Sequence, residues 1–235
     1  MKLKNLNWSK YEVIWLFSFS FTAIFITILN RDTALGFSVF LSGVLCVVLA
    51  AKGNIWTYIF GMYNTIGYAY LAFTNHLYGE MGLNIFFFIP MNLVGYIKWK
   101  SNKTESGSIR MKRMKISKLY IVLFVCLSAI LAMGFGLSFI EGQRTPYIDA
   151  TTNVLSIAAT LLMVSCFREQ WILYIILNIF TILMWTIRLI DGSSDGIIMI
   201  IMWSAYLINS VYGFYVWSKG AEKEVYYEKN RIVSR

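Results

Sequence analysis

The sequence is poor in charged residues. Of its 235 residues only 14% are Asp, Glu, Lys or Arg, whereas 58% are hydrophobic and 17% aromatic. A soluble domain carries roughly 25% charged residues, so this chain has too few charges to cover a surface that faces water. Few charges together with many aromatic residues also exclude a disordered chain. The composition therefore predicts a protein that crosses a membrane several times.

Cysteine and histidine are also scarce, which excludes several kinds of site. Cys46, Cys126 and Cys166 lie far apart within apolar stretches, and no pair has the spacing of metal ligands or of a disulfide framework. We predict that all three are packing residues. Because His76 is the only histidine, a site built from several histidines is excluded. We expect neither a metal nor a cofactor.

The motifs of catalysis and of energy coupling are missing as well. The sequence contains no GxxxxGK[ST] phosphate loop and no nucleophile paired with a base. No Asp, Glu, Lys or Arg lies near the middle of an apolar stretch. Proton-coupled and ion-coupled carriers usually need such residues. The sequence therefore predicts a protein that is not an enzyme, and a facilitator rather than a pump.

Eight apolar stretches are long enough to be membrane spans, since a crossing takes about 20 residues. They cover roughly 11–29, 35–51, 55–74, 81–97, 119–140, 150–167, 171–189 and 197–217. The first follows three lysines, as in a signal peptide. Its apolar part is too long for a signal peptide, however, and no small-residue cleavage site follows Leu29. We expect it to be a retained helix.

Basic residues are distributed unevenly among the segments that join these stretches. The segment from Lys98 to Lys118 holds eight basic residues against one acid, Glu105. Basic loops stay on the cytoplasmic side, next to anionic lipid headgroups. With eight crossings both termini are then cytoplasmic, and of the 21 Lys and Arg residues all lie inside except Arg31, Arg144 and Arg188. The net charge of +9 is therefore a topology signal and does not indicate a nucleic acid partner.

The two halves of the sequence resemble each other. GNIWTYIFGMYNTIGYAYL, from Gly53, is followed by a helix that ends in LVGYIKW at Trp99, and REQWILYIILNIFTILMWTI, from Arg168, by one that ends in VYGFYVW at Trp217. Each half has three apolar stretches, so the single stretch 119–140 is needed to give both halves the same orientation. This pattern predicts a parallel repeat with a substrate site at the repeat interface. Chance similarity of two aromatic-rich helices is the alternative.

Polar and aromatic side chains share faces of the predicted helices, and these are the candidates to contact a solute. In the second half they are Trp171, Tyr174, Asn178 and Trp185 on one helix, Asp149 and Asn153 on another, and Tyr206 and Asn209 on the last; in the first half they are Tyr63, Asn64 and Asn92. Opposed rings and amides suit a flat, polar heterocycle, and rings attract a cation. Alternatively, the aromatics, among them Trp56, Trp99, Trp171 and Trp217, mark the membrane interface and the asparagines join helices.

The order and spacing of these residues resemble a known family. DATTNVLSIAATLLM (149–163), followed by REQWILYIILNIFTI (168–182), is similar to the nicotinamide riboside transporter family PnuC, which shows an E-x-W-x-x-W-x-x-x-N pattern. Glu169, Trp171 and Asn178 match that pattern, and Tyr174 replaces its second Trp. The first half also looks like that family, and the similarity covers about 35–218.

The resemblance implies an architecture. The fold would be all-α and integral to the membrane, with a 3+1+3 parallel repeat as in SWEET sugar transporters and an extra N-terminal helix. The corresponding segments are an N-terminal tail and helix (1–34), a first three-helix repeat (35–100), a basic loop and linker helix (101–149), a second repeat (150–218) and a cytoplasmic tail (219–235). We expect the basic loop and the tail to be solvated. The family further implies a homotrimer in the bacterial cytoplasmic (inner) membrane.

The resemblance also implies a function. Nicotinamide riboside, a vitamin B3 form and NAD precursor, would enter by facilitated diffusion and be trapped by a cytoplasmic kinase that phosphorylates it. Its pyridinium charge and ribose match the aromatic and amide stripes, and Trp171, Tyr174 and Asn178 fall on the family's binding helix. Tyr174 leaves open a related fold member that carries thiamine or another vitamin. A third alternative is a vitamin-binding membrane subunit that depends on a separate ATPase.

Overall fold

The structure, a computed structural model, describes residues 9–30, 34–74, 78–104, 109–141, 143–192 and 196–233. His76, Glu105 and Arg31 lie outside these described residues. Within them the regular secondary structure is helical apart from two isolated β-bridges. The helices are α1 (Lys10–Asn30), α2 (Ala34–Ala51), α3 (Trp56–Thr74), α4 (Tyr78–Leu83), α5 (Ile89–Ser101), α6 (Ile116–Leu137), α7 (Pro146–Val164), α8 (Gln170–Ile190) and α9 (Gly196–Val233), with a π-helical turn, Asn84–Phe88, between α4 and α5. The all-helical prediction is confirmed.

Six segments among the described residues are long and apolar enough to cross a bilayer. They are Ala34–Ala51, Met81–Ser101, Ile116–Leu137, Pro146–Val164, Gln170–Ile190 and Met199–Tyr226. Of the two further predicted spans, α1 contributes only the shorter apolar stretch Glu12–Thr22. The other, α3, is interrupted by glycines, threonines and an asparagine. Most predicted stretches coincide with helices to within a few residues.

Contacts divide the chain into two compact units. The first contains residues up to 50 together with 56–93, and the second contains 51–55 together with 94 onward. In the first unit α3 packs against α4 and the π-helical turn. In the second unit each of the helices α6 to α9 packs against the next one along the chain. Their shared core includes Cys126, Leu155, Ala159, Leu173 and Leu177.

The start of α1 shows how a local sequence pattern sets a helix end. The backbone N–H of Ser9 donates to the Glu12 carboxylate at 2.8 Å, and the N–H of Glu12 donates to Ser9 Oγ at 3.2 Å. This reciprocal pair is a capping box, which satisfies two backbone donors at the beginning of a helix. It gives the buried carboxylate of Glu12 a hydrogen-bond donor.

The predicted span 81–97 is not a regular α-helix. Residues Asn84–Phe88 form a π-helical turn that ends two residues before Pro90. A proline lacks the N–H that would bond to the carbonyl of Phe86, and its ring clashes with that carbonyl in a regular helix. The wider turn relieves this clash. Such turns are frequent at functional sites, and Asn92 lies four residues after the end of this one.

The basic segment between α5 and α6 is packed, so the prediction that it is solvated was wrong for residues 109–114. Ile109 and Met111 are buried, whereas Arg110 and Lys112 between and beside them are exposed. This alternation is the two-residue period of an extended chain. The N–H of Lys112 donates to the carbonyl of Cys166 at 2.8 Å, and the N–H of Arg168 returns a bond to the carbonyl of Lys112 at 2.9 Å. The many basic residues predicted that the whole segment is exposed to solvent. The apolar residues between them, Ile109 and Met111, are instead buried along one side of the segment.

The expected solvated tail is the continuation of a helix. α9 runs from Gly196 to Val233 without a break, 38 residues or roughly 57 Å. Ala221, beyond the expected end of the span, is buried. A Cβ built on Gly220 would lie 2.3 Å from the sulfur of Met111, so the glycine lets the 109–114 segment approach α9.

Candidate functional site

A group of rings and amides lies where α8 and α9 face each other in the second unit. We call Trp171, Tyr174, Asn178, Ser210 and Trp217 the aromatic–amide cluster. The ring centroid of Trp171 is 5.8 Å from that of Tyr174 and 6.2 Å from that of Trp217. These separations are typical of favourable tilted and edge-to-face ring contacts. The structure therefore brings together three predicted site residues of α8, Trp171, Tyr174 and Asn178. They lie with Trp217, which the sequence analysis placed at the end of a span.

Glycine makes this arrangement possible. A Cβ built on Gly213 would lie 2.6–2.7 Å from three atoms of the Trp171 ring. Any other residue would therefore push the indole away from α9. Gly213 is the glycine of VYGFYVW, at the position that Gly95 has in LVGYIKW of the first half, and the structure gives the physical reason for a glycine there.

Trp99, Trp171 and Trp217 are buried in the protein, so the interface interpretation was wrong for these three. Trp99 and Trp217 are both fully buried, with ring centroids 5.7 Å apart. The indole N–H of Trp99 donates to the carbonyl of Met163 at 2.9 Å. An interfacial tryptophan instead faces lipid headgroups. Trp56, in the first unit, is half-buried.

The buried amide of Asn178 joins two helices. Its Nδ2 donates to Ser210 Oγ at 2.9 Å, and that hydroxyl donates to the carbonyl of Tyr206 at 2.9 Å. Asn209, beside Ser210, is buried as well. The ring of Tyr206 contacts that of Trp203 at 5.5 Å. One amide hydrogen of Asn178 therefore serves packing, and its contact with a solute stays a prediction.

The other predicted residues of α7 and α8, Asp149, Asn153 and Trp185, lie toward the helix ends remote from the aromatic–amide cluster. Asp149 accepts a hydrogen bond from the amide of Gln143, and Asn153 Nδ2 donates to the carbonyl of Asp149 at 2.8 Å. The guanidinium of Arg188 lies 4.9 Å from the ring centroid of Trp185. Trp185 shares a face with Trp171, but 14 residues along a helix correspond to roughly 21 Å. A single small solute cannot contact both rings.

The candidates of the first half lie in the first unit and bond to neighbouring helices. Asn64 Nδ2 donates to the carbonyl of Val39 at 2.7 Å, and the Tyr63 hydroxyl shares a 2.8 Å bond with Ser38. Asn92 Nδ2 donates to Thr65 Oγ1 at 3.1 Å and to the carbonyl of Phe88 at 2.9 Å. These amide hydrogens stabilise helix contacts, as asparagine does in membrane bundles.

Sequence reasoning missed Gln170, the first residue of α8. Its side chain is fully buried, and among the described residues neither amide atom has a hydrogen-bond partner. The indole N–H of Trp171 is buried without a partner too. A buried amide left unbonded costs about 1–3 kcal/mol, so such groups mark a place where something else bonds. The signal in the sequence was a glutamine at the start of an apolar helix, between Glu169 and Trp171 of the family pattern.

The aromatic–amide cluster contains no charged side chain. The nearest charges along α8 belong to Arg168 and Glu169, which lie before its first turn. Glu169 is buried, but Arg168 Nε and the backbone N–H of Met114 both donate to its carboxylate, at 3.2 and 3.1 Å. The cluster can therefore offer rings, an indole N–H and the amide of Asn178 to a solute, and it offers no ionic partner.

Comparisons with known proteins are consistent across sequence and structure. A family described as "Nicotinamide mononucleotide transporter" matches residues 33–219. The chain is 33% identical to the nicotinamide riboside transporter PnuC of Neisseria mucosa, over 91% of this chain and 82% of that one. It is also 33% identical to PnuC of Haemophilus influenzae, over 91% and 92%. A crystal structure of the vitamin B3 transporter PnuC is similar with a TM-score of 0.76 at 31% identity, covering 92% of this chain and 94% of that one.

Proposed function

The chain belongs to the nicotinamide riboside transporter family PnuC, and from that membership we propose that it carries nicotinamide riboside into the cell by facilitated diffusion. Its relatives in Neisseria mucosa and Haemophilus influenzae are named as nicotinamide riboside transporters. The observation that carries the proposal is a pair of buried groups without a partner among the described residues at the start of α8, the Gln170 amide and the Trp171 indole N–H, beside the rings of Tyr174 and Trp217. A solute with a carboxamide, hydroxyls and a cationic ring supplies partners for all of these groups.

The neutral character of the cluster favours a riboside over a mononucleotide. A phosphate group is bound most strongly by Arg or Lys, and no such side chain is part of the aromatic–amide cluster. The pyridinium of nicotinamide riboside instead requires an electron-rich surface, which Trp171, Tyr174 and Trp217 provide. We therefore expect the riboside, and not its 5′-phosphate, to be the transported form.

Facilitated diffusion agrees with the distribution of charge. The acids and bases of the described helices lie in their end turns or in the extension of α9, as Asp149 in α7 and Arg188 in α8 do. A carrier that moves protons with its solute usually has a charged residue within the bilayer. Uptake beyond the outside concentration then requires removal of the solute inside, and phosphorylation by a cytoplasmic riboside kinase would supply it, because the added charge prevents return.

The same proposal includes the arrangement in the membrane. Eight crossings in a 3+1+3 repeat with one extra helix would place both termini and the segment 98–118 in the cytoplasm of a bacterial inner membrane. α6 would be the single linker helix, and its exposed apolar residues, such as Ile121, Phe124 and Leu131, would face lipid or a second subunit of a homotrimer. Reaction of cysteines introduced into the termini with an impermeant thiol reagent tests this orientation.

The function is tested by binding and uptake with purified protein. In calorimetric titrations the riboside should bind, its 5′-phosphate and thiamine should bind at least about tenfold more weakly, and Trp171→Phe should weaken riboside binding about tenfold by removing the N–H. Trp185→Phe is the matched control and should change affinity by less than about twofold. In liposomes, encapsulated kinase and ATP should drive accumulation that an uncoupler leaves unchanged.

Three outcomes would contradict the proposal. Tighter binding of thiamine than of the riboside would assign another cargo to the same fold. Binding without transport in liposomes would indicate a subunit that requires a separate ATPase. Accumulation abolished by an uncoupler, with kinase and ATP present, would exclude facilitated diffusion.

A further inference from the structure

A second site lies outside the aromatic–amide cluster, where the 109–114 segment meets the extension of α9. A cavity of about 150 Å³ is lined there by Arg113, Arg168, Ala221, Glu222 and Val225. Two cationic side chains and one anionic side chain thus face one space. Among the described residues no ion pair joins Glu222 to either arginine, so the three charges do not neutralise one another directly.

Arg168 is held in place from two sides. Its Nε donates to the buried Glu169 carboxylate at 3.2 Å, and its guanidinium carbon lies 5.7 Å from the ring centroid of Phe214. The side chain is only 15% exposed. Because Nε is occupied, the two terminal nitrogens are the groups that Arg168 can present to the cavity. A guanidinium fixed in this way binds a phosphate with little loss of side-chain freedom.

Backbone pairing brings Arg113 to the same cavity. The bonds between Lys112 and residues 166 and 168, and the bond from the Met114 N–H to Glu169, fix the residues on both sides of Arg113. Arg113 itself is exposed. The side chain of Arg168 is therefore held in place beside the cavity. Arg113 has a fixed backbone, and its exposed side chain reaches the cavity.

The cavity lies at a depth that suits a lipid headgroup. Ala221 and Glu222 follow Lys219, the first charge after the apolar part of α9, by roughly 3–5 Å along the helix axis. The headgroup layer is roughly 5–8 Å thick on each side of the hydrocarbon core. Ala221 and Val225 add an apolar wall beside the charges.

From this geometry we propose that the Arg113–Arg168–Glu222 cavity binds a phosphate group that carries a neighbouring primary ammonium, as in the headgroup of phosphatidylethanolamine. The arginines bind the phosphate, and the Glu222 carboxylate accepts hydrogen bonds from the ammonium. A phosphatidylglycerol headgroup has no cation for Glu222, and the quaternary nitrogen of phosphatidylcholine has no N–H to donate. The site is independent of the solute that the protein transports.

The experiment measures lipid retention by native mass spectrometry of the purified full-length protein with phosphatidylethanolamine, phosphatidylglycerol and phosphatidylcholine of equal chain length. Phosphatidylethanolamine should be retained in preference to both others. Arg113→Gln should weaken its binding about tenfold, whereas Lys115→Gln, a basic residue outside the cavity, should leave it unchanged. Glu222→Gln should remove the preference over phosphatidylglycerol, whereas Glu224→Gln should preserve it. Thermal unfolding of each variant excludes loss of the fold.

Free phosphoethanolamine and inorganic phosphate distinguish a lipid from a soluble ligand. If these two compounds displace the lipid only at concentrations far above the concentration of the lipid, the result would support the lipid headgroup as the natural ligand. Binding of free phosphoethanolamine, lost in Arg113→Gln, without lipid selectivity would support the same chemistry with a soluble source. Equal retention of all three lipids with no binding of phosphoethanolamine, or equal effects of Arg113→Gln and Lys115→Gln, would overturn the proposal. Riboside uptake is not a readout here, so this result is separate from the proposed transport function.

Discussion

The indole ring of Trp171 lies directly against the backbone of Gly213. A Cβ at position 213 would be 2.6 Å from Trp171 Cε2, closer than a real Cβ contact. The ring of Trp171 therefore has its position only because α9 carries no side chain there. Since the same ring contacts Tyr174 and Trp217, this one glycine decides the geometry of the aromatic–amide cluster.

Replacement of Gly213 should disturb both the fold and the solute site. Gly213→Ala should lower the melting temperature and weaken riboside binding at least about tenfold, because the indole must move. Gly136→Ala is the matched control, since nothing lies within 4 Å of a Cβ at that helical glycine. There alanine should be neutral or stabilise by up to about 1 kcal/mol. Similar melting temperatures for the two variants would contradict the assignment of Gly213.

Variants at the Asn178–Ser210 hydrogen bond distinguish a packing role of Asn178 from a role in binding the solute. Asn178→Ala leaves a buried hydroxyl without its donor and should cost about 1–2 kcal/mol of stability. Ser210→Ala removes the same bond, so the double variant should be destabilised by less than the sum of the two. If Asn178 also contacts the solute, Asn178→Ala alone should abolish riboside binding. Equal riboside affinity in both single variants would limit Asn178 to a packing role.

Loss of the indole N–H of Trp99 should destabilise the second unit. Trp99→Phe removes the 2.9 Å indole donor of the Met163 carbonyl, which keeps the N–H of Cys166 as a second donor at 3.0 Å, so the lost hydrogen bond should cost about 0.5–1.5 kcal/mol. Denaturant unfolding measures this difference. Trp56→Phe, at a half-buried tryptophan of the first unit, serves as the comparison. An unchanged midpoint for Trp99→Phe would show that the N–H of Cys166 alone satisfies the Met163 carbonyl.

The thiol of Cys166 reports on the packing of the 109–114 segment. Burial raises its pKa, while the Asn102 hydrogen bond and the charges of Lys112 and Lys98 lower it by less. Since the thiolate is the reactive form, a raised pKa means less thiolate at neutral pH and faster reaction as the pH increases. A variant that keeps only Cys166 should therefore react slowly with a maleimide, and much more slowly than an exposed cysteine introduced by Lys100→Cys.

Glu169→Gln should accelerate that reaction. The glutamine amide replaces a charged acceptor for the Met114 N–H and for Arg168, so the segment that covers Cys166 is held less strongly. Charge-assisted hydrogen bonds are roughly twice as strong as neutral ones. Labelling of Cys166 at an unchanged rate in Glu169→Gln would show that the backbone bonds of Lys112 alone hold the segment.

Part of the candidate site could be predicted from the sequence. The residues that were misplaced or missed share one physical cause. The periodicity of α8 correctly placed Trp171, Tyr174 and Asn178 on one face. It also placed Trp185 on that face. Periodicity gives the angle of a side chain around the helix axis, but it does not say how far along the axis the solute lies. The family pattern drew attention to Glu169 and Trp171 but not to Gln170 between them, since burial at the start of a helix depends on which segments cover that end.

The sequence by itself determined the membrane class, most helix positions, the absence of charge from the spans and the family. These properties are sums over consecutive residues or matches to a pattern, so they need no knowledge of distant contacts. The tertiary structure alone decided that residues 109–114 are packed, that α9 continues through the expected tail, and that Trp99, Trp171 and Trp217 are buried together. Each of these depends on a close approach between residues far apart in the chain, such as Met111 and Gly220 or Trp171 and Gly213. Packing of that kind follows from the shapes of two surfaces at once, and a single stretch of sequence describes only one of them.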